Sequence, residues 1–217
     1  PEELETLAGR SDLSPHQLYK VVFKESHMVE PAEGQEFELQ EYYDHPERYR
    51  GTFEKYLPHL DVLVNCIFWT ERYPRLVTLD WCRERFAETT SPRLKVIGDI
   101  SCDVGGSIQC TVEATTLGNP VYIYDPVSGS HEFGYQGRGL TILAVDNLPA
   151  ALARESSTFF GNALSGLVPE LAAASWDGEL EESGLPPELE RAVIVWRGRL
   201  TPDYRYLEEH LVAGDVK

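Results

Sequence analysis

With 217 residues and 42% hydrophobic content, the chain can fill a substantial core as one large domain or two small ones. A formal net charge of −17 removes the basic face that nucleic acid or an anionic membrane needs, and no apolar run approaches the roughly 20 residues of a membrane span. The acidic opening Pro1-Glu2-Glu3-Leu4-Glu5 is the reverse of a signal-peptide start, and the 4 cysteines form no Cys-x-x-Cys pair. Reduced thiols in a cytosolic-type compartment fit that pattern.

Residues 1–7 read as an acidic helix, 18–23 as a strand by their β-branched and aromatic content, and 30–38 as an exposed loop. Segment 41–49 mixes tyrosines with charge, which suits either a binding surface or a short amphipathic helix packing its rings. Residues 52–60 read as a short helix disturbed by Pro58. The first strong strand is 61–69, Asp-Val-Leu-Val-Asn-Cys-Ile-Phe-Trp, whose nearly continuous apolar run is expected of a parallel strand covered on both faces. Asn65 interrupts the run and needs hydrogen-bond partners: it either ties down the strand end or faces a ligand. Thr78 is placed to cap a helix over 79–87, and Pro92 precedes a strand over 94–98.

That strand runs into residues 99–107, Asp-Ile-Ser-Cys-Asp-Val-Gly-Gly-Ser. Two carboxylates, two small hydroxyls and a glycine pair thus stand where a buried strand ends, the place at which open α/β sheets bind ligands. A metal reading of Asp99 and Asp103 needs Asp146 as a third ligand, and a nucleophilic Cys102 needs a histidine that is not near it in sequence. Neither a metal ligand nor a catalytic residue is therefore assigned.

Residues 108–116 are β-branched but mixed with polar groups and stay unassigned. A strand over 120–126 and a turn over 127–131 follow. Gly137-Arg138-Gly139 lacks the third glycine and the following helix of a dinucleotide fingerprint. A buried strand over 139–146 ends in Asp146, which either caps the next helix or contacts a ligand. Pro149 suits a first helical turn, and 151–171 carries a helical period broken by Gly161, Gly166 and Pro169. Residues 175–187 read as an acidic, exposed connection, 192–196 form a last apolar segment, and 200–212 read as a short terminal helix ending near Val212.

Strands alternating with helices predict an α/β, Rossmann-like, mostly parallel sheet with helices on both faces. Right-handed crossovers would bring Asn65, Asp99 and Asp146 to one edge.

Five motifs then resemble one family in order: Asp-His-Pro-Glu-Arg-Tyr at 44–49, Val-Asn-Cys-Ile-Phe-Trp at 64–69, Pro-Arg-Leu at 74–76, the stretch 99–107, and Val-Asp-Asn-Leu-Pro at 145–149. The family is the lysine–2-oxoglutarate reductases: the reductase half of aminoadipic semialdehyde synthase and the lysine-forming saccharopine dehydrogenases, within the alanine dehydrogenase superfamily. The likeness runs from Pro1 to about Leu211. It implies an oxidoreductase that joins lysine and 2-oxoglutarate as an imine and reduces it to saccharopine with NAD(P), or runs the reverse. It further implies that Val64, Asp99, Ile100, Ser101 and Cys102 run along the cofactor near its nicotinamide, and that Asn65, Cys66 and Ile67 border the amino-acid substrate. Small residues at a strand end permit such close approach.

The resemblance also implies that the glycine-rich turn, the ribose selector and an acid–base lysine and histidine lie outside this chain. On that reading residues 1–150 are the later part of a nucleotide-binding domain lacking its first β-α-β unit, and 151–217 are a long helix and a segment returning toward a substrate domain. The partners expected are small molecules and the remainder of a longer enzyme, in the cytoplasm, or in the mitochondrion of an animal. A non-catalytic Rossmann-like binding or interaction module is the competing expectation.

Overall fold

The structure is a computed structural model that describes residues 1–14, 16–89 and 91–211. It divides into two compact units, Pro1–Ala151 and Leu152–Lys217.

The first unit opens with the short helices α1 (Leu4–Gly9) and α2 (Glu25–Met28). Strand β1 (Val29–Pro31), helix α3 (Leu39–Asp44) and strand β2 (Tyr49–Gly51) follow, with β1 and β2 paired antiparallel. Glu38 caps α3 by accepting from the Gln40 and Glu41 amides. The Tyr42 ring packs edge-on against Tyr49 and Tyr73, at centroid separations of 5.2 and 5.4 Å. Segment 41–49 therefore does pack its tyrosines, as one of the two sequence readings had it.

The main sheet holds β3 (Val62–Asn65), β4 (Val96–Asp99), β5 (Val121–Tyr124), β6 (His131–Phe133) and β7 (Leu140–Leu143), in the order β3-β4-β7-β5-β6. β3, β4 and β7 are mutually parallel; β5 is reversed, and β6 turns back against it. The result is the α/β, mostly parallel sheet flanked by helices that the alternation of elements predicts. Helix α4 (Leu79–Glu88) connects β3 to β4, and Thr78 caps it by accepting from the Trp81 amide at 3.2 Å. Its buried Cys82 and Phe86 join Ile97, Ile108, Cys110, Leu140 and Ile142 in the core.

Several local expectations give way. Residues 18–23 are irregular rather than a strand: among the described residues no neighbour offers a ladder, Leu18 is 99% exposed, and Val21 and Phe23 turn inward, Phe23 against Phe53 and Tyr56. The long strand expected over 61–69 shrinks to the four residues of β3. It lies at the edge of the sheet and alternates, with Leu63 and Asn65 buried but Val62 and Val64 51% and 61% exposed. Residues 52–60 form two 3-10 turns, Phe53–Lys55 and Leu57–His59, because Pro58 cannot continue a helical ladder. The unassigned stretch 108–116 threads the core as a loop, bridged in parallel from Val77 to Ile108 and from Thr115 to Val145.

Gly139 explains the Gly-Arg-Gly signal without any nucleotide. It sits at φ +144°, and a Cβ there would lie 2.2 Å from the Tyr124 carbonyl oxygen, so glycine is needed for β7 to start beside β5. Arg138 donates to the Phe86 carbonyl at 2.9 Å.

In the second unit the long helix expected over 151–171 splits into α5 (Ala153–Ser165) and α6 (Val168–Ala173), separated at Gly166 with Pro169 in the first turn of α6. After α7 (Pro187–Arg191), β8 (Val195–Trp196) and β9 (Arg199–Leu200) make a hairpin through Arg197 and Gly198, both at positive φ. The terminal helix is a 3-10 segment, Pro202–His210, and Val212 lies outside the described residues.

Candidate functional site

Parallel pairing of β3 with β4 sets Asn65 directly opposite Asp99. Each lies two residues beyond a buried aliphatic, Leu63 and Ile97, so the pleat turns both polar side chains toward the core. Both are 1% exposed. Burial obliges them to find partners, and they find each other. Asn65 Nδ2 donates to Asp99 Oδ1 at 2.8 Å and to Ser107 Oγ at 2.9 Å, while Thr111 Oγ1 donates to Asp99 Oδ2 at 2.6 Å. The Asn65 side-chain oxygen accepts from the Ile67 amide at 3.4 Å. Of the two roles open to Asn65, tying down the strand end is the one its side chain performs.

The chains leaving the two strands are stitched together as well. The Ile100 amide donates to the Asn65 carbonyl at 2.8 Å, and the Ser101 hydroxyl to the Ile67 carbonyl at 2.6 Å. Cys102 sits at φ +55°, a left-handed conformation unusual for a residue with a side chain, and its thiol donates to the Asp99 carbonyl at 3.2 Å. The following loop uses its glycines for two reasons. Gly105 is at φ +66°, and at Gly106 a Cβ would stand 2.5 Å from the Asp103 Cβ. Arg75 clamps this loop by donating from Nε to the Gly106 carbonyl at 3.1 Å and from Nη2 to the Gly105 carbonyl at 3.2 Å, with its guanidinium 4.9 Å from the Trp69 ring centroid. The neighbouring motifs at 64–69 and 74–76 thereby close on the distant one at 99–107.

The surface left for a ligand is apolar and small. Val64 is 61% exposed, Ile100 37%, and Ser101 and Cys102 are half-buried. Burial, reinforced by the nearby Asp99, Asp146 and Asp103 charges, pushes the Cys102 thiol up, so it is a poor nucleophile at neutral pH. Asp146 is exposed just beyond β7, and among the described residues its side chain accepts no hydrogen bond, so it does not cap the next helix in that way. Among the described residues, no group of three or more His, Cys, Asp or Glu is placed to hold a metal ion, and no helix is long and apolar enough to cross a membrane. All four cysteines are free thiols.

The eight residues picked from the sequence therefore fall into three groups. Asn65 and Asp99 are buried and hydrogen-bonded to the framework; Val64, Ile100, Ser101 and Cys102 lie at the strand-end surface. Cys66 and Ile67 line a cavity of about 450 Å³ that also takes in Tyr42, Tyr43 and Tyr73. Sequence reasoning missed Thr111, because its partner is 12 residues away across an irregular loop. It also missed the clamp by Arg75, whose only local signal was the Pro-Arg-Leu motif. The chain has no glycine-rich turn of the Gly-x-Gly-x-x-Gly kind to take a pyrophosphate.

Residues 25–203, spanning the sheet and the greater part of the second unit, match the model of the alanine dehydrogenase/PNT C-terminal domain. The chain belongs to that family. Within the alanine dehydrogenase/PNT C-terminal domains, similarity extends to much longer proteins. Alpha-aminoadipic semialdehyde synthase of Arabidopsis thaliana is 37% identical over 203 residues, which are 92% of this chain and 18% of the relative. The mitochondrial alpha-aminoadipic semialdehyde synthase of Bos taurus is 31% identical over 223 residues, 96% of this chain and 24% of its own. The NAD(+), L-lysine-forming saccharopine dehydrogenase of Emericella nidulans is 32% identical over 124 residues, 52% of this chain and 28% of its own. The chain thus spans about a quarter or less of the first two relatives it matches.

Proposed function

We propose that the chain is part of an NAD(P)-dependent oxidoreductase of lysine metabolism that interconverts lysine plus 2-oxoglutarate with saccharopine. What supports this best is family membership and the names of the relatives. The Asn65–Asp99 pair, closed by Ser107 and Thr111, supplies a buried framework at the carboxyl edge of parallel strands, where open α/β sheets bind ligands. In the reductive direction the lysine ε-amine and the ketone of 2-oxoglutarate lose water to give an imine, and hydride addition yields the secondary amine of saccharopine. NAD(P), when bound, supplies or accepts that hydride.

The part played by this chain is positioning. Val64, Ile100, Ser101 and Cys102 form the wall beside the nicotinamide end. Asp99 acts from behind that wall by holding the strand end through Asn65 and Thr111. Cys66 and Ile67 border the amino-acid substrate, with Asn65 bracing them from beneath through the Ile67 amide. No proton-transfer role is assigned here. The Asn65 and Asp99 side chains are committed to each other, and the Cys102 thiol is held protonated. Acid–base groups, the pyrophosphate turn and the selector between NAD and NADP are attributed to the remainder of a longer enzyme. A cytoplasmic location, or a mitochondrial one as in the name of the bovine relative, belongs to the same proposal.

The same committed hydrogen bonds suit a non-catalytic nucleotide-binding module, and one assay separates the two. Full-length protein is mixed with NADH or NADPH, and nicotinamide absorbance is followed as lysine and 2-oxoglutarate are added singly and together. Oxidation that requires both substrates is the expected result. Cofactor binding with no oxidation under any combination would establish the module instead.

A further inference from the structure

Two thiols that the strand-end wall does not use meet in the core of the first unit. Cys82 and Cys110 are both fully buried and belong to one apolar cluster with Phe86, Ile97 and Ile108. Backbone pairing brings their segments together. Val77 bridges Ile108 in parallel, the Gln109 amide donates to the Val77 carbonyl at 3.0 Å, and the Leu79 amide donates to the Gln109 side-chain oxygen at 3.0 Å. Cys82 lies one turn beyond Leu79 along α4, on the same face, and Cys110 follows Gln109 directly. The two side chains are accordingly hydrogen-bonded to each other. That hydrogen bond and burial push the Cys110 thiol well up, which keeps it neutral while the core is closed.

Aliphatic side chains would fill the same space, but two sulfurs in contact can also be joined by a bond. The residue after Cys110 is Thr111, whose hydroxyl donates to the Asp99 carboxylate at 2.6 Å. The Cys110 carbonyl accepts from the Tyr122 hydroxyl at 3.0 Å, and the Thr111 carbonyl accepts from the Gly105 amide at 2.8 Å. A displacement of Cys110 therefore reaches both Asp99 and the glycine loop through a single peptide unit. We propose that Cys82 and Cys110 form a reversible dithiol–disulfide switch, closed by a small hydroperoxide, that crosslinks α4 to the 108–111 loop and loosens the hydrogen bond from Thr111 to Asp99. The switch rests on the fold of the first unit and not on the reaction proposed above.

The chemistry balances with hydrogen peroxide as oxidant. One cysteine, as thiolate, attacks a peroxide oxygen: an S–O bond forms, the O–O bond breaks, and the departing hydroxide takes up the thiol proton as water. The second cysteine attacks the resulting sulfenic sulfur, an S–S bond forms, the S–O bond breaks, and a second water leaves with the second thiol proton. Two electrons pass from the sulfurs to the peroxide. A neutral oxidant little larger than water reaches the pair through a local opening of the core, and the adjacent thiol intercepts the sulfenic acid before it oxidises further.

Peroxide titration of the full-length, cofactor-free protein tests the switch by non-reducing peptide mapping and hydrogen exchange. The expected result is a crosslink between the Cys82 and Cys110 peptides, exchange over residues 105–111 faster by roughly ten- to a hundredfold, and reversal of both by dithiothreitol. Cys82→Ala and Cys110→Ala should each abolish the exchange response, with melting curves showing that the variants fold; the wild-type crosslink is decisive even where a variant does not. Cys82 and Cys110 remaining reduced while exposed Cys66 is oxidised, a crosslink that forms only in urea, or a crosslink that leaves exchange over 105–111 unchanged would overturn the proposal. Because neither readout uses cofactor or turnover, failure of the proposed reaction and failure of the switch are separate results.

Discussion

Replacing Asp99 by alanine isolates what its buried carboxylate does. The side chain accepts from Asn65 Nδ2 and Thr111 Oγ1, and both donors are within the core, where water does not replace the lost acceptor. Each orphaned donor costs about 1–3 kcal/mol, so Asp99→Ala should destabilise the first unit by about 2–6 kcal/mol, a large share of the stability of an ordinary domain. Asp99→Asn keeps one acceptor oxygen and should cost roughly half as much. Urea denaturation of the full-length protein, with hydrogen exchange read over residues 99–111, measures both. The expected outcome is a lowered midpoint and faster exchange in that segment, with cofactor KM changed only as the loop loosens. An unaltered midpoint and unaltered exchange together with a strongly raised cofactor KM would refute the reasoning, since the carboxylate would then be acting on the ligand.

Four further outcomes follow from the geometry. Gly139→Ala should prevent normal expression of folded protein, because its Cβ would meet the Tyr124 carbonyl oxygen at 2.2 Å in a backbone conformation that side chains disfavour; circular dichroism and soluble yield report it. Arg75→Ala removes two hydrogen bonds to the Gly105 and Gly106 carbonyls and should cost about 1–3 kcal/mol, with faster exchange confined to the 103–107 loop. Cys102 should react with iodoacetamide only as pH rises above that of an ordinary thiol, since burial and three neighbouring carboxylates favour its neutral form; rapid alkylation at pH 7 would contradict this. The folded-state pKa of Tyr42 is raised from 10.0 to about 12, so its contribution is complete below pH 10 and is lost between pH 10 and 12, where only the unfolded chain ionises. Over that window wild type should lose about 2–3 kcal/mol more stability than Tyr42→Phe in parallel denaturation curves.

The proposed division of labour makes this chain a positioning element. Its strand-end chemistry, two polar residues and a glycine pair, is spent on holding backbone geometry, and what it offers outward is a short-chained wall and a tyrosine-lined cavity. Such a unit works by fixing a ligand's orientation, which is a large part of what any dehydrogenase site must achieve.

Local pattern made much of this legible in the chain itself. The runs at 62–65, 96–99 and 140–143 are strands because their β-branched and aliphatic residues suit a pleated, buried ladder, and Thr78 announced α4 because a hydroxyl before an amphipathic run satisfies free amides. The strand-end position of 99–107 followed from the same pattern. Other features depended on partners that sequence spacing does not reveal. Residues 18–23 have strand composition but no ladder beside them, and β3 alternates because an edge strand has one packed face. Alternation from Leu63 and Ile97 places Asn65 and Asp99 on the buried side, yet only the parallel register sets them opposite each other, and only the fold of an irregular loop delivers Ser107 and Thr111 to complete them. The sequence by itself determined which residues are strand ends and which are polar. The tertiary structure decided that those polar groups face inward toward one another, because a buried amide and a buried carboxylate reach low energy only when both are fully hydrogen-bonded.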